Sequence, residues 1–192
     1  MKNIVHIGAS GEHGNDPTCT YHFFEPRWGV NRDDVKRIDN VNIYPFGISD
    51  YEGTAILNLT RRGQCSSLLE PNIKLIKKLQ PSNWDRFEVT SRIEIPVNRL
   101  DNILPSDTII DKLTIDTQGT ELHVIKGAGD LLKNTQVIQC EVEFVELYIN
   151  QPMYEDILDY VSKFGFKVHG FLRKVKWNET QPVFGDVIFK KA

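Results

Sequence analysis

Long apolar runs are missing: nowhere in the 192 residues do the ~18 consecutive hydrophobic side chains of a membrane-crossing helix occur. The opening MKNIVHIGAS has one lysine and too short an apolar stretch for a secretory signal, so a cytoplasmic protein is expected. Cysteine is scarce. Cys19, Cys65 and Cys140 stand far apart, without a CxxC pair or a Cys/His spacing for zinc, which points to reduced thiols. Charge of one sign is missing as well. Lys and Arg number 23 against 26 Asp and Glu, and a net charge of -3 excludes a general nucleic-acid binder with its basic face. The local clusters at Arg61 and Arg62 and over 173–176 fit solvated loops. Neither internal repeats nor low-complexity segments occur.

What is present is globular in composition, with 40% hydrophobic and 26% charged residues, and long enough for one core. Residues 1–192 are therefore read as a single domain. β-Branched and aromatic runs predict strands at 3–7, 20–24, 41–50 ending at Gly47, 53–60, 87–97, 111–116, 136–144, 166–172 and 184–191. Helical spacing falls at Ile73, Ile76 and Leu79, with Pro81 as a stop, and again over 117–134, bent near Gly127 and Gly129. A further helix runs between Pro152 and Gly165. Strands alternating with helices predict a doubly wound, mostly parallel α/β sheet, and the last two strands, joined without a helix, are expected to pair antiparallel. Ligands of such sheets bind beyond the carboxyl ends of the strands. That puts 8–11, Glu25, 47–50, 116–119 and 141–143 on one rim.

The stretch HIGASGEHGNDPTCTYHFFEP (6–26) carries the first clue. Its glycines, Gly8, Gly11 and Gly14, follow neither the GxGxxG nor the P-loop pattern. Glu25 ends the second strand, where a carboxylate accepts both hydroxyls of a ribose diol or is simply a loop acid. Only nine residues, 11 to 19, separate the first turn from the second strand, too few for a helix that averages about 11–12 residues. Losing that helix removes the usual pyrophosphate anchor, which harms NAD and FAD most and the phosphate-free S-adenosylmethionine least.

The segments IGAS, FEP, GISDYEG, CSSLLEPN, LTIDTQGTELHVIKGA, CEVEFVELYINQP, YEDILDYVSKFGF and GDVIF occur in this order. Together they resemble the FkbM family of S-adenosylmethionine-dependent methyltransferases over nearly the whole chain, closest to members with a GAS-type first loop and a DTQG(A/T)E segment. The resemblance implies a class I, Rossmann-like methyltransferase fold. It implies that Gly8, Ala9, Ser10 and Gly11 pass beneath the methionine part of the cofactor, that Glu25 holds the ribose, and that Ser49 and Asp50 lie by the adenine. Asp116 would face the methionine moiety or the acceptor. The compressed 11–19 segment departs from the longer-loop members.

If the methyl acceptor is a hydroxyl, a base must take its proton near attack. Asp116, Glu141 and Glu143 are the candidates, with His13 behind them. Residues 141 and 143 share one face of a strand, and two carboxylates that close raise one another's pKa; a polar cap binding Gln118 is the structural alternative. Asp116, Glu121, Glu141 and Glu143 also have the donor type for magnesium, though acid-rich sheet ends are common without metal, and no metal is expected. Gln118 and Gly119 shape the turn, and Thr120 suits a helix cap. Ser66, Ser67, Gln118 and Tyr148 are placed on the substrate side, with Tyr154 beside them. The expected function is O-methylation of a sugar or other polyhydroxylated small molecule or glycan, in glycan or secondary-metabolite biosynthesis. A catalytically impaired Rossmann-like module acting through a protein partner is the first alternative, and an NAD(P)-dependent oxidoreductase the next.

Overall fold

Runs of β-branched and aromatic residues form strands here because their side chains pack on a pleated, half-buried surface. The computed structural model describes residues 1–8, 16–29, 39–177 and 182–191. Among them the strands are β1 (Lys2–Ile7), β2 (Cys19–Phe24), β3 (Val41–Tyr44), β4 (Gly47–Ile48), β5 (Gly53–Thr60), β6 (Val89–Asn98), β7 (Lys112–Ile115), β8 (Val137–Glu143), β9 (Phe166–Lys176) and β10 (Pro182–Lys191). The helices are α1 (Ile73–Leu79), α2 (Leu100–Ile103), α3 (Glu121–Ala128) and α4 (Tyr154–Ser162). Seven strands form a mixed α/β sheet in the order β3-β2-β1-β7-β8-β10-β9. It is parallel from β3 to β8 and ends in the antiparallel strands β10 and β9.

Two sequence expectations change. The run 41–50 is not one strand: β3 closes the edge of the large sheet, and β4 joins a second sheet of order β4-β6-β5. Pro45 lies between them, and its missing N–H breaks the ladder at that point. The run 173–176 is not a loop, because β9 continues through Lys176 against β10. The runs 53–60 and 87–97 pair antiparallel as β5 and β6 in the second sheet, with α1 in the connection between them.

Helices α2, α3 and α4 cover one face of the large sheet. Val5, Ile7, Phe24, Leu113, Ile115, Ile138 and Cys140 pack there against Leu100, Val124, Ile125, Ile157 and Val161, all nearly or wholly excluded from water. Helix α1 is capped by Asn72, whose side chain accepts from Leu75 N at 3.2 Å. Helix α4 starts two residues after Pro152, where Asp156 accepts from Met153 N at 2.8 Å, and the chain turns out at Gly165. Helix α3 stops at Ala128, where Gly129 takes φ 50° and the chain tightens into a 3-10 turn, Gly129–Asn134. A second core, holding Cys65, Ile76, Phe87, Leu147, Tyr148 and Val183, joins α1 to the 145–151 loop. Leu57, Ile95 and Val97 form a third under the small sheet.

Candidate functional site

Strand register places the charged residues. Ile7 pairs with Phe24 and with Ile115, and Ile115 with Cys140; all four are buried in the helix-covered core. One residue further along stand Glu25, Gly8, Asp116 and Glu141. Because successive side chains alternate across a sheet, this row turns away from the helices. Asp186 pairs with Glu141 and Arg173 with Asp186, so the row continues over β10 to the edge strand. Gly8 donates from its amide to Phe24 O at 2.9 Å, and Asp116 N to Ile7 O at 3.0 Å, which pins the row at the strand ends. Only glycine fits at position 8: its φ is 81°, and an added Cβ would lie 1.8 Å from Asp116 O.

A cleft of about 160 Å³ opens above this row, between the two sheets. Gly8, Glu25 and Asp116 line it on the large-sheet side, Phe24, Ile48, Leu57, Leu68 and Ile95 give it apolar walls, and Gln64, Ser66, Ser67 and Gln118 close its polar end. Of the residues expected in the site, Gly8, Glu25, Ser66, Ser67, Asp116 and Gln118 therefore meet there. Ala9, Ser10, Gly11 and His13, like most of the compressed loop, lie outside the described residues.

Each acid has its own surroundings. Glu25 is 3% exposed and bound by Arg27 through three hydrogen bonds: the backbone N and Nε reach Oε1 at 3.0 and 2.9 Å, and Nη2 reaches Oε2 at 2.9 Å. A carboxylate has about four acceptor sites, so one remains for a ligand hydroxyl where the sequence reading expected two. The bond to Glu25 also holds Arg27 protonated against its own burial. Asp116 Oδ1 and Glu141 Oε1 each accept from Gln118 Nε2 at 2.7 Å, and Glu141 Oε2 accepts from Arg173 Nη2 at 2.8 Å. Arg173 also pairs with Asp186. Burial, then the Asp116 charge, pushes Glu141 up to about 9, with Arg173 pulling the other way. Burial raises Asp116 too, and its bond from Gln118 opposes the rise.

Glu143 shares the Glu141 face but is 1% exposed and does not line the cleft; its Oε2 meets no partner among the described residues, and burial holds it well above the usual carboxylate range. Glu121 is the cap that Thr120 was expected to be. It accepts from Thr117 N at 2.8 Å, Thr117 Oγ1 at 3.1 Å and Gly119 N at 2.9 Å, while the Thr120 hydroxyl contacts Thr117 O. Burial pushes Glu121 up to about 7. Among the described residues no three His, Cys, Asp or Glu groups are arranged to hold a metal ion.

Ser49, Asp50, Tyr148 and Tyr154 sit differently from the sequence reading. Ser49 and Asp50 do not line the cleft: Gly127 of α3 packs on Ser49 O, and Arg99 Nη1 donates to Asp50 O at 2.7 Å. Tyr148 is wholly buried, with its hydroxyl 3.0 Å from both Cys65 O and Gln118 Oε1, so it lies behind the cleft and not along it. Tyr154 packs against Phe144 and Phe171 in the main core. Ser67 lines the cleft, yet its hydroxyl already donates to Gln118 O at 2.6 Å. Sequence reasoning missed Arg27 and Arg173. The first stands two residues after the strand-end acid in FEPR, a readable proximity; the second is set by pairing across β10, which has no local signature.

Comparison with known proteins bears on the family and the fold. Residues 6–168 match the methyltransferase FkbM domain. A crystal structure of a methyltransferase FkbM from Methylobacillus flagellatus KT shares the fold with a TM-score of 0.52 at 12% identity, over 97% of this chain and 43% of that one. The chain thus spans less than half the length of that protein. No curated protein matches the sequence. With the family match extending over most of its residues, the chain belongs to the FkbM methyltransferase family.

Proposed function

We propose that this chain transfers a methyl group from S-adenosylmethionine to a hydroxyl of a sugar or another polyhydroxylated small molecule or glycan. The observation that carries this reading is the single row Glu25, Gly8, Asp116 along a cleft that has apolar walls at Phe24, Ile48, Leu57, Leu68 and Ile95 and a polar end at Gln64, Ser66, Ser67 and Gln118. The residues present fit such a cofactor. Arg27 is the one cation among the described lining residues, and Glu25 holds it. Among the described residues, the amides of Thr117 and Gly119 in the turn before α3 are taken by Glu121 and are not open to a phosphate. What remains, apolar walls and carboxylates, suits a phosphate-free nucleoside that carries a positive charge. Glu25 keeps one acceptor site for a ribose hydroxyl. The adenine role expected of Ser49 and Asp50 is not part of the proposal, because α3 and Arg99 hold both outside the cleft.

When bound, the cofactor supplies a methyl carbon whose bond to sulfur breaks with the electron pair returning to sulfur. The acceptor hydroxyl loses its proton as its oxygen bonds that carbon, and Asp116 receives it. Asp116 lines the cleft, and its Oδ2 meets no donor among the described residues. Glu141 has both oxygens engaged, and Glu143 lies outside the lining. Apolar walls exclude water from the path, where charge is neutralised as the methyl group moves.

Titration calorimetry tests the reading. S-adenosylhomocysteine should bind with about micromolar affinity, NAD should not, and Glu25→Ala should weaken binding roughly ten- to a hundred-fold, the worth of one charge-assisted hydrogen bond. Binding of NAD alone would overturn it. One observation favours the second reading, a partner-binding module without catalysis: the three bonds by which Arg27 occupies Glu25. Silence toward both ligands is that reading's signature.

A further inference from the structure

Gln118 stands in a backbone conformation that side chains avoid. Its φ is 58°, in the left-handed region that glycine and asparagine enter more readily, and it is followed by Gly119 at φ 97°. A long side chain kept there against its preference is a reason to ask what that side chain does. Every polar atom of it is in use. The two amide hydrogens go to Asp116 Oδ1 and Glu141 Oε1, each at 2.7 Å, and Oε1 accepts from the Tyr148 hydroxyl at 3.0 Å. Ser67 reaches the backbone oxygen of the same residue at 2.6 Å. Tyr148 is fully buried, so the clamp is anchored in the second core and not in solvent.

We propose that Gln118 is the positioning residue of the site: it fixes one oxygen of Asp116, leaves the other to the cleft, and keeps that carboxylate ready for the acceptor proton. The proposal rests on the role given to Asp116 above. A neutral donor with two hydrogens suits this place, since it satisfies two adjacent carboxylates without adding a charge that would compete with a cationic ligand. The amide orientation is set by the two acids that meet Nε2, while the one hydroxyl proton of Tyr148 is shared between Cys65 O and Gln118 Oε1, both at 3.0 Å. A reversed amide would turn its oxygen on two carboxylates.

The charges around Asp116 explain why it needs such support. Glu141 and Glu143 face it from β8, Glu121 from α3 and Asp186 from β10, against Arg173 from β9 and Arg27 beyond β2; His6 of β1 also lines the cleft. Burial pushes the Asp116 carboxyl up, and the bond from Gln118 is the largest effect in the opposite direction. Arg173 does the same for Glu141.

The test needs neither cofactor nor acceptor. Side-chain carboxyl signals of the whole protein are followed by carbon-13 NMR through a pH titration, in wild type, Gln118→Leu, Gln118→Asn and Tyr148→Phe. Asparagine tolerates the left-handed backbone but is one methylene too short to reach both acids, so it separates the clamp from the turn. The expected result is an upward move of the Asp116 midpoint by roughly one unit or more in both Gln118 variants, the loss of one charge-assisted bond, and a smaller move in Tyr148→Phe. A merely structural Gln118 would lower the melting temperature and leave that midpoint in place. Should Gln118→Leu fail to fold, Gln118→Asn and Tyr148→Phe decide. An Asp116 midpoint unmoved in folded Gln118→Asn overturns the clamp. Calorimetry with S-adenosylhomocysteine on the wild-type protein reports separately on the methyl-transfer reading.

Discussion

Glu25 and Glu141 lie in the same register row, yet different neighbours reach them. Arg27 gives Glu25 three hydrogen bonds from two residues away, whereas Arg173 crosses a whole strand to reach Glu141 and divides itself with Asp186. Glu141 is left facing Asp116 in a buried place, and its proton is held up to about 9; that of Glu121 is held up to about 7. The unfolded chain releases both near 4.5, the ordinary value. Between those limits the native state binds more protons, so stability falls as pH rises, through about 7 for Glu121 and about 9 for Glu141. The urea midpoint should therefore decline from about pH 6 to about pH 9, and Glu141→Gln should flatten the upper part of that decline. A midpoint that is level or climbs across this window in the wild type would show that these acids are ionised throughout.

Elements were legible where a local pattern decides them. Alternating apolar residues located β1, β2, β5 and β8 to within a residue or two, and Pro81 and Gly165 marked helix ends through their own backbone chemistry. What the local pattern hid was what each turn packs against. Gly127 and Gly129 looked alike as helix breakers, but only Gly129 breaks α3. Gly127 is helical, and a Cβ there would lie 2.0 Å from Ser49 O and 2.8 Å from its carbonyl carbon. Two effects oppose each other in Gly127→Ala. Helix propensity improves by about 1 kcal/mol, while driving a methyl group into a backbone carbonyl costs about 1–3 kcal/mol. The carbonyl belongs to the residue that follows β4 and, as backbone, cannot turn aside as a flexible side chain would, so the steric cost wins. The expected outcome is a net loss of up to about 2 kcal/mol, read as a lower urea midpoint at unchanged slope. A stabilised variant would mean that α3 and the 49–50 turn are not in contact.

At the scale of the whole molecule, the carboxyl-end rim was readable because Glu25 and Asp116 each close an apolar run, Glu141 falls late in another, and parallel sheets gather their strand ends on one side. The opposite wall was not readable. It comes from β4, β5, β6 and the Ser66–Ser67 turn, whose position over the rim depends on which sheet each short strand joins, a choice made by long-range pairing and not by the strand's own residues. The arginines that hold the acids share that origin. Since the cleft is built from two sheets, a ligand within it must touch both, and its binding energy must act on both at once. S-adenosylhomocysteine at a hundred times its dissociation constant should add about 2.7 kcal/mol to the stability of the folded protein. Hydrogen exchange should then slow together at the end of β2, at β4, along 64–68 and along 116–118. Protection confined to one sheet would place the ligand on a surface instead of in the cleft, and a melting temperature unchanged by the ligand would leave this cleft without a cofactor.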